Sequence, residues 1–386
     1  MNDIDLNLIP DHVLNILKKL QKHHFEAYIV GGCIRDLILK RVPKDFDIAT
    51  NAHPEEITSI FNNARVIGRR FKIVHIRHQR EIVEVSTFRK KPSQISKLKN
   101  GVVQDNEFGS IEEDAERRDF TMNAIFFDPI NVSFFDPFDG LSDIDNKKIK
   151  FIGNPSERIK EDPARLLRAI RFHAKLKFIL PVTETEILNF SSLIETIPSS
   201  RIFDEIMKFF LTGHAQNSLL VLKKLNLVDF FFPHLEKHQF NKHSLLVLGM
   251  ANTDKRVEED KTVNPGFLMA VLLWDAFTES SFYKNNGLSL DAKISSFFNA
   301  NKSSIFIHNR FVKYISDIWR LQPRFLKIRT KSVYRLSNHP RFRAAYDFLL
   351  LRCESKEENI NVGNWWTYWQ TSNESTRKKL LSDGIK

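Results

Sequence analysis

The chain has only two cysteines, Cys33 and Cys353, set far apart and without CxxC spacing. That excludes a disulfide framework and a cysteine-built zinc site. No apolar run approaches the ~20 residues that a membrane-spanning helix needs. The opening segment MNDIDLNLIPDHVLNILKKL begins with acidic residues and reads as an amphipathic helix, not as the basic-then-apolar order of a secretion signal. A cytoplasmic protein is therefore the expectation. Neither GxxxxGK[ST] nor GxGxxG occurs, which excludes the P-loop and the dinucleotide fingerprint, and there is no internal repeat.

Acids are scarce in one stretch. Residues 301 to 343 hold eleven Lys or Arg against one acid, Asp317, within a chain whose net charge is +11 and whose pI is near 9.4. Phe311, Tyr314, Trp319, Phe325, Tyr334 and Phe342 interleave with those bases. Two readings stand. One is a track for a flexible nucleic acid, with Arg320, Arg324, Lys327 and Arg329 on its phosphates and the rings as stacking surface. The other is the solvated face of ordinary helices.

What is present in quantity is globular: 386 residues, 42% hydrophobic and 27% charged, enough for two or more packed domains. The first part alternates helix and strand signals, with a helix over 11 to 24, a strand EAYIV, a helix CIRDLILK and a strand FDIAT. Strands follow in FKIVHI, EIVEVSTF and MNAIFF, and the α/β domain ends near residue 150. From about residue 155 the spacing is helical, as in SRIFDEIMKFFLTG, HAQNSLLVLKKL and PGFLMAVLLWDAF. The polar, turn-rich segment 90 to 106 reads as a mobile loop. The fold class is α+β.

Within this pattern PKDFDIAT places Asp45 and Asp47 on one face of a strand, with Phe46 and Ile48 on the other. Neighbouring carboxylates repel unless a cation lies between them, and oxygen-only donors point to magnesium or manganese. A water-facing strand end is the alternative. Gly31-Gly32 follows a strand and opens a helix, so free backbone N–H groups face the turn, and Arg35 lies in that helix's first turn. Such a glycine pair also serves as a plain tight turn. Glu84 shares a strand face with Ile82 and Ser86, where an acid is costly unless paired, metal-bound or at a wet edge. Arg118 and Asp119, in ERRDFTMNA, precede another apolar strand and read as cleft residues or as a surface ion-pair cluster.

In EDPARLLRAIRF, at about 100° per residue, Asp162, Arg165, Arg168 and Arg171 line the side away from Leu166, Leu167, Ile170 and Ala174. Phe172 interrupts the arginines, which argues for a cleft-facing side able to bond a base edge and a triphosphate. Asp162 before Pro163 equally fits a helix cap.

Taken in order, GGCIRDLIL, PKDFDIATNA, VIGRRFKIVHI, FGSIEEDAERRDFTMNA and EDPARLLRAIRF resemble the class II nucleotidyltransferases, the family of bacterial poly(A) polymerases and CCA-adding enzymes. The resemblance covers roughly the first 210 residues, and SSRIFDEIMKFF resembles the helical neck that follows. GRRFKIVH, HPRFRAAYDFLLLR and the Trp365-Trp366 pair resemble the poly(A) polymerase branch.

The resemblance implies a polymerase-beta-like catalytic head over 1–150, a helical neck with a nucleotide-recognition helix over 151–215, and a helical RNA-binding body and basic C-terminal region over 216–386. It implies addition of AMP from ATP to RNA 3′ ends, with CCA addition to tRNA as the alternative and a non-catalytic RNA-binding protein as a third reading. Asp45 and Asp47 are then ligands of catalytic magnesium, or manganese, Glu84 is the third carboxylate, and Asp119 is catalytic. Gly31, Gly32, Arg35 and Arg118 meet the nucleotide's phosphates and ribose; Asp162, Arg165, Arg168 and Arg171 meet base and triphosphate. A monomer is expected, working on RNA with no membrane attachment, and RNA-degradation proteins are candidate partners.

Overall fold

In a computed structural model the chain divides into two compact units, one running to Thr183 and the other from Glu184 onward. The structure describes residues 4–68, 72–90, 107–232, 243–301 and 307–385. Most of the loop expected over 90 to 106 lies outside the described residues, as do Arg69 to Phe71 of the GRRFKIVHI motif and Lys302 of the basic stretch.

The first unit is built on a seven-stranded sheet in the order β3-β4-β5-β2-β1-β6-β7. Its strands are β1 Ala27–Val30, β2 Asp47–Thr50, β3 Ala64–Ile67, β4 Ile73–His78, β5 Glu81–Thr87, β6 Phe126–Asp128 and β7 Ser133–Phe135. β2 and β5 run parallel, and every other neighbouring pair is antiparallel. The helices are α1 Asp11–Lys22, α2 Gly32–Ile38, α3 Pro54–Ile60, α4 Ile111–Glu116, α5 Gly140–Asp145, α6 Pro155–Glu161 and α7 Ala164–Leu176. α1 forms because Val13, Ile16, Leu17 and Leu20 recur at helical spacing and are buried, while Asp11 and Lys22 suit the dipole at the two ends. It stops at Lys22, before the residue 24 expected, and His24 takes a left-handed φ of 66°.

Strand alternation decides where the site can be. Ile29, Ile48, Val74, Ile76, Val83 and Val85 are all buried and share one face through the strand register, where α1 and α2 pack on β1 and α3 on β4. The opposite face is covered only in part. Around β1, β2 and β6 it is closed by Val30, Ala49, Phe88, Ala115, Phe126 and Ile152, but over β5 it opens, leaving Ile82 49% exposed. Asp47 stands where the covered part meets the open part.

The second unit is helical, as expected. Its principal cluster gathers Phe325, Val333, Phe342, Tyr346, Leu349, Trp365, Trp366 and Trp369. Indole N–H groups buried there find backbone and side-chain acceptors: Trp366 donates to the Phe325 carbonyl and Trp369 to Ser337 Oγ. No helix among the described residues is long and apolar enough to cross a membrane.

Candidate active site

Three strands place the candidate site's acidic residues in register. Asp47 of β2 lies beside Glu84 of β5, and Glu84 lies opposite His75 of β4. All three are on the open face. Asp45 sits just before β2 rather than in it and is exposed, while the intervening Phe46 is buried, so the expected alternation holds through the approach to the strand. Glu84 is half exposed, with His75 Nε2 at 3.4 Å. Of the two readings offered for Glu84, the water-facing one fits its exposure, although β5 lies between β4 and β2 and not at the sheet's edge.

Asp47 is the perturbed group of the row. Burial raises its carboxyl to about 6, the negative charge of Glu84 adds to the rise, Arg118 opposes it, and Asp45 adds a further small rise. A carboxylate held against other carboxylates favours a bound cation. Among the described residues no three His, Cys, Asp or Glu side chains lie close enough together to cage an ion. The donors nonetheless fit a magnesium-type ion, which takes one or two carboxylates and completes its shell with water and substrate phosphate oxygens.

The glycine turn closes the other side. Gly31 follows β1 with φ 87°, a conformation that L side chains rarely adopt, and a Cβ there would stand 3.6 Å from Asp47 Oδ2 and 3.8 Å from Arg118 Nη1. The bare backbone of the turn, the Asp47 carboxylate and the Arg118 guanidinium thus face one small space. Gly32 opens α2 as expected. Arg35 does not extend freely from that helix: it is 4% exposed, donates Nη1 to Asn123 Oδ1 at 2.9 Å and Nη2 to Asp36 at 2.8 Å, and lies 4.9 Å over the Phe172 ring. It ties the floor of the turn to ERRDFTMNA.

That motif is a buried polar knot. Asp114, which the sequence reading passed over, is fully buried and accepts from the Arg89 amide, Arg117 Nε and Arg118 Nε and Nη2. Burial pushes its carboxyl up, but the Arg118 and Arg117 guanidiniums outweigh burial and hold it below the usual carboxylate range. Arg118 is fixed further by the Asn123 carbonyl at 3.2 Å and by the Phe126 ring. Asn123, also missed, accepts from Arg35 and donates Nδ2 to Asp119 Oδ1 at 3.2 Å. The i, i+3 and i, i+4 spacing of Asp114 to Arg117 and Arg118 was the signal available in the sequence.

α7 brings in the arginine row. Arg168 Nη2 ion-pairs with buried Asp119 at 2.8 Å. Arg165 Nη1 donates to Glu161 Oε2 at 2.6 Å and to the Arg158 carbonyl at 3.0 Å. Arg171 lies 4.6 Å over the Phe172 ring. Phe172 itself is buried, edge-on to Phe120, so it is a core residue flanked by arginines and not a cleft wall. Asp162 Oδ1 accepts from the Ala164 amide at the start of α7, which is the capping contact. Arg158, another residue the sequence reading missed, donates Nη2 to the Arg117 and Arg118 carbonyls and so docks α6 on the knot.

In the second unit the basic stretch keeps its charges on the surface but not its rings. Lys327 and Arg329 are exposed, Arg324 is partly so, and Arg320 ion-pairs with Asp291 and Asp317. The expected stacking surface is corrected. Trp319 is buried between Phe277 and Phe298, and Phe325 and Phe342 are core residues. Phe311 stacks on Phe203, Tyr314 lies beneath Arg341, and Tyr334 donates to Glu374. Trp319, Phe325 and Phe342 recur at positions that also satisfy helical core spacing, and there burial won, while Phe311, Tyr314 and Tyr334 are half-buried.

Comparison with known proteins follows the same division. Residues 27–150 match the family model of the poly A polymerase head domain, 178–239 that of a probable RNA- and SrmB-binding site of polymerase A, and 286–385 that of the polymerase A arginine-rich C-terminus. Poly(A) polymerase I of Haemophilus influenzae is 38% identical, over 96% of this chain and 87% of that one. Poly(A) polymerase I of Salmonella typhimurium is 35% identical, over 97% and 85%. A CCA-adding enzyme of Listeria innocua is 36% identical over 67% of this chain and 63% of its own. Among solved structures, the Bacillus stearothermophilus CCA-adding enzyme in complex with CTP aligns with TM-score 0.63 and 26% identity, covering 96% of this chain and 81% of that one.

Proposed function

The chain belongs to the nucleotidyltransferase family of poly(A) polymerases and CCA-adding enzymes, and we infer that it is a poly(A) polymerase, extending RNA 3′ ends with AMP from ATP. The observation that carries this is the meeting of Asp47, the Gly31 turn and Arg118 around one space, in a chain matched nearly end to end by poly(A) polymerase relatives.

The family works on a nucleotide with a divalent metal. We propose ATP and magnesium, manganese being able to replace it, with Asp45 and Asp47 as the protein ligands and Glu84 as the third carboxylate of the row. When bound, the ion lowers the pKa of the attacking 3′ hydroxyl and offsets the charge of the departing pyrophosphate. The chain's own part is placement. The 3′ oxygen forms a bond to the α-phosphorus of ATP while the bond to the β-phosphate oxygen breaks, so the triphosphate must lie in line. Gly31 and Gly32 let backbone N–H groups approach it closely, and Arg118, held rigid by Asp114, adds a charge-assisted donor. Arg35 acts beneath the turn, from which its bonds to Asn123 and Asp36 reach. Asp119 fixes Arg168, and Arg165, Arg168, Arg171 and Asp162 offer donors and an acceptor for base and triphosphate.

The second unit supplies RNA contact. The match of 178–239 to an RNA- and SrmB-binding site model supports an RNA partner and a protein of RNA metabolism there, and Arg324, Lys327 and Arg329 are available as phosphate contacts, with Arg320 after exchange of its acidic partners. We take the enzyme to be a cytoplasmic monomer. The test is incubation of purified protein with a labelled RNA and magnesium, giving each nucleoside triphosphate in turn and then CTP together with ATP. Long products from ATP alone support poly(A) synthesis. Addition limited to three residues, needing both CTP and ATP, would make it a CCA-adding enzyme, the reading its 36% identical relative favours.

A further inference from the structure

The second unit contains a cavity of about 640 Å³ lined from the helices Leu245–Glu258 and Phe342–Glu354 and from the turn into the helix Pro265–Leu272. This is the size range of small-molecule and nucleotide sites. Its wall carries five basic side chains and two acidic ones. Both acids are already matched: Lys261 Nζ lies 2.7 Å from Glu259, and Arg343 Nε 3.0 Å from Asp347. That leaves Lys255, Arg256 and Arg341, none of which has a carboxylate within ion-pair distance among the described residues.

Two of these three are held in place. Arg256 donates Nη2 to the Thr262 carbonyl at 2.8 Å, which fixes it at the rim. Arg341 lies 4.5 Å over the ring of Tyr314. That ring is itself pressed against Gly266, where a Cβ would come 2.8 Å from Cδ1. A guanidinium seated on a tyrosine presents its other face outward, and a planar cation is a stacking surface for a base. A merely solvated basic helix would spread its charges over a convex surface. Here five basic side chains against two acids give one concavity a net positive lining, with the Arg341 guanidinium as its stacking plane.

We propose that this cavity takes a base and its flanking phosphates from single-stranded RNA, a site for the body of the substrate within the second unit. The base stacks on Arg341, and Lys255 and Arg256 meet phosphates. The proposal rests on the polymerase reading of the chain, and a free nucleotide offers the same chemistry, so the test separates these.

The full chain and a triple variant, Lys255→Gln with Arg256→Gln and Arg341→Gln, are titrated with a fluorescent single-stranded RNA across a salt series. A charge-matched control carries Lys284→Gln, Lys378→Gln and Lys379→Gln, exposed lysines outside the cavity. The cavity variant is expected to lose about 1.4 from the log–log salt slope, from roughly 0.7 per phosphate over the two contacts of Lys255 and Arg256, and to bind at least tenfold more weakly at physiological salt. Turnover at saturating RNA stays that of the parent. Calorimetric titration with ATP alone is expected to be unchanged; loss of an ATP-binding event in the triple variant would assign the cavity to free nucleotide and overturn the RNA proposal. A cavity variant that matches the control in slope and affinity overturns it too, while a parent that adds AMP keeps the polymerase reading intact. A parent that binds RNA through the cavity yet adds no nucleotide would sink the polymerase reading alone.

Discussion

Replacing Asp114 by Asn tests whether the candidate site depends on one buried carboxylate. Asp114 is fully buried and is shared by Arg117 and Arg118, themselves 23% and 16% exposed. Removing one partner of a buried ion pair costs about 3–5 kcal/mol, because it leaves an uncompensated charge. Both guanidiniums retain some water, so the lower end, about 3 kcal/mol, is expected here. For a unit of this size that corresponds to a melting shift of roughly 6–12 °C. All five tryptophans, at 274, 319, 365, 366 and 369, lie in the second unit. Indole fluorescence therefore follows that unit alone, and far-UV circular dichroism follows both. The variant should lower an early transition in dichroism and leave the fluorescence transition in place. The pH dependence has a definite sign. Asp114's folded carboxyl is held below its usual range, so its stabilisation is present above the unfolded value near 4 and disappears as pH falls through the folded value. Parent and variant should thus converge only below about pH 4. A variant melting within a degree or two of the parent at pH 7.5 would refute the claim that this pair organises the site.

Three further outcomes are expected. Asp47→Asn should abolish AMP addition with RNA affinity nearly unchanged; since burial and Glu84 raise Asp47 to about 6, the fold favours the protonated carboxyl, and its stabilising contribution is lost as pH rises from about 4 through that value and the group ionises. The variant should therefore be the more stable at pH 7.5, on the order of 2 kcal/mol, and not at pH 4, and a magnesium- or manganese-induced melting shift should be seen with the parent only; equal shifts in both would remove Asp47 as a ligand. Gly31→Ala, strained at φ 87° with its Cβ 3.6 Å from Asp47, should cost roughly 1–2 kcal/mol and slow addition, and parent-like melting and turnover would show that the turn relaxes freely. Arg165→Lys should relax ATP preference over CTP as well as slow addition, because a point charge cannot reproduce a planar fork; an unchanged product ratio in mixed nucleotides would exclude it from base selection.

Period was the most legible property of the sequence. Strand alternation put Phe46 and Ile48 inside and left the aspartates out, and the glycine pair at the end of β1 was found to open α2. Short elements escaped: β3 and β7 are four and three residues long, and β3 is largely exposed, so neither carries a buried face to read. α5 escaped as well, since GLSDID offers only Gly140, Asp143 and Ile144 to the interior.

The misreadings of the site have a common physical origin. Sequence gives the identity of a charged or aromatic residue and its helical angle, but not which partner claims it. Arg35 looked like a phosphate contact because it follows two glycines; Asn123, 88 residues further on, takes its guanidinium. Trp319 looked like a stacking platform because bases flank it; Phe277 and Phe298 enclose it instead. Asp114 was overlooked because an acid among IEEDAE looks solvated, yet its i+3 and i+4 neighbours are the arginines that make its burial tolerable. For Arg35 and Trp319 a long-range packing decision overrode a local pattern, whereas for Asp114 the local partners were present and its burial was not legible. The exposed charges are the residues to which this does not apply, since water leaves them free to meet a phosphate, and it is among these that RNA contacts are to be sought: Lys255, Arg256 and Arg341 around the cavity, and Lys327 and Arg329 beyond it.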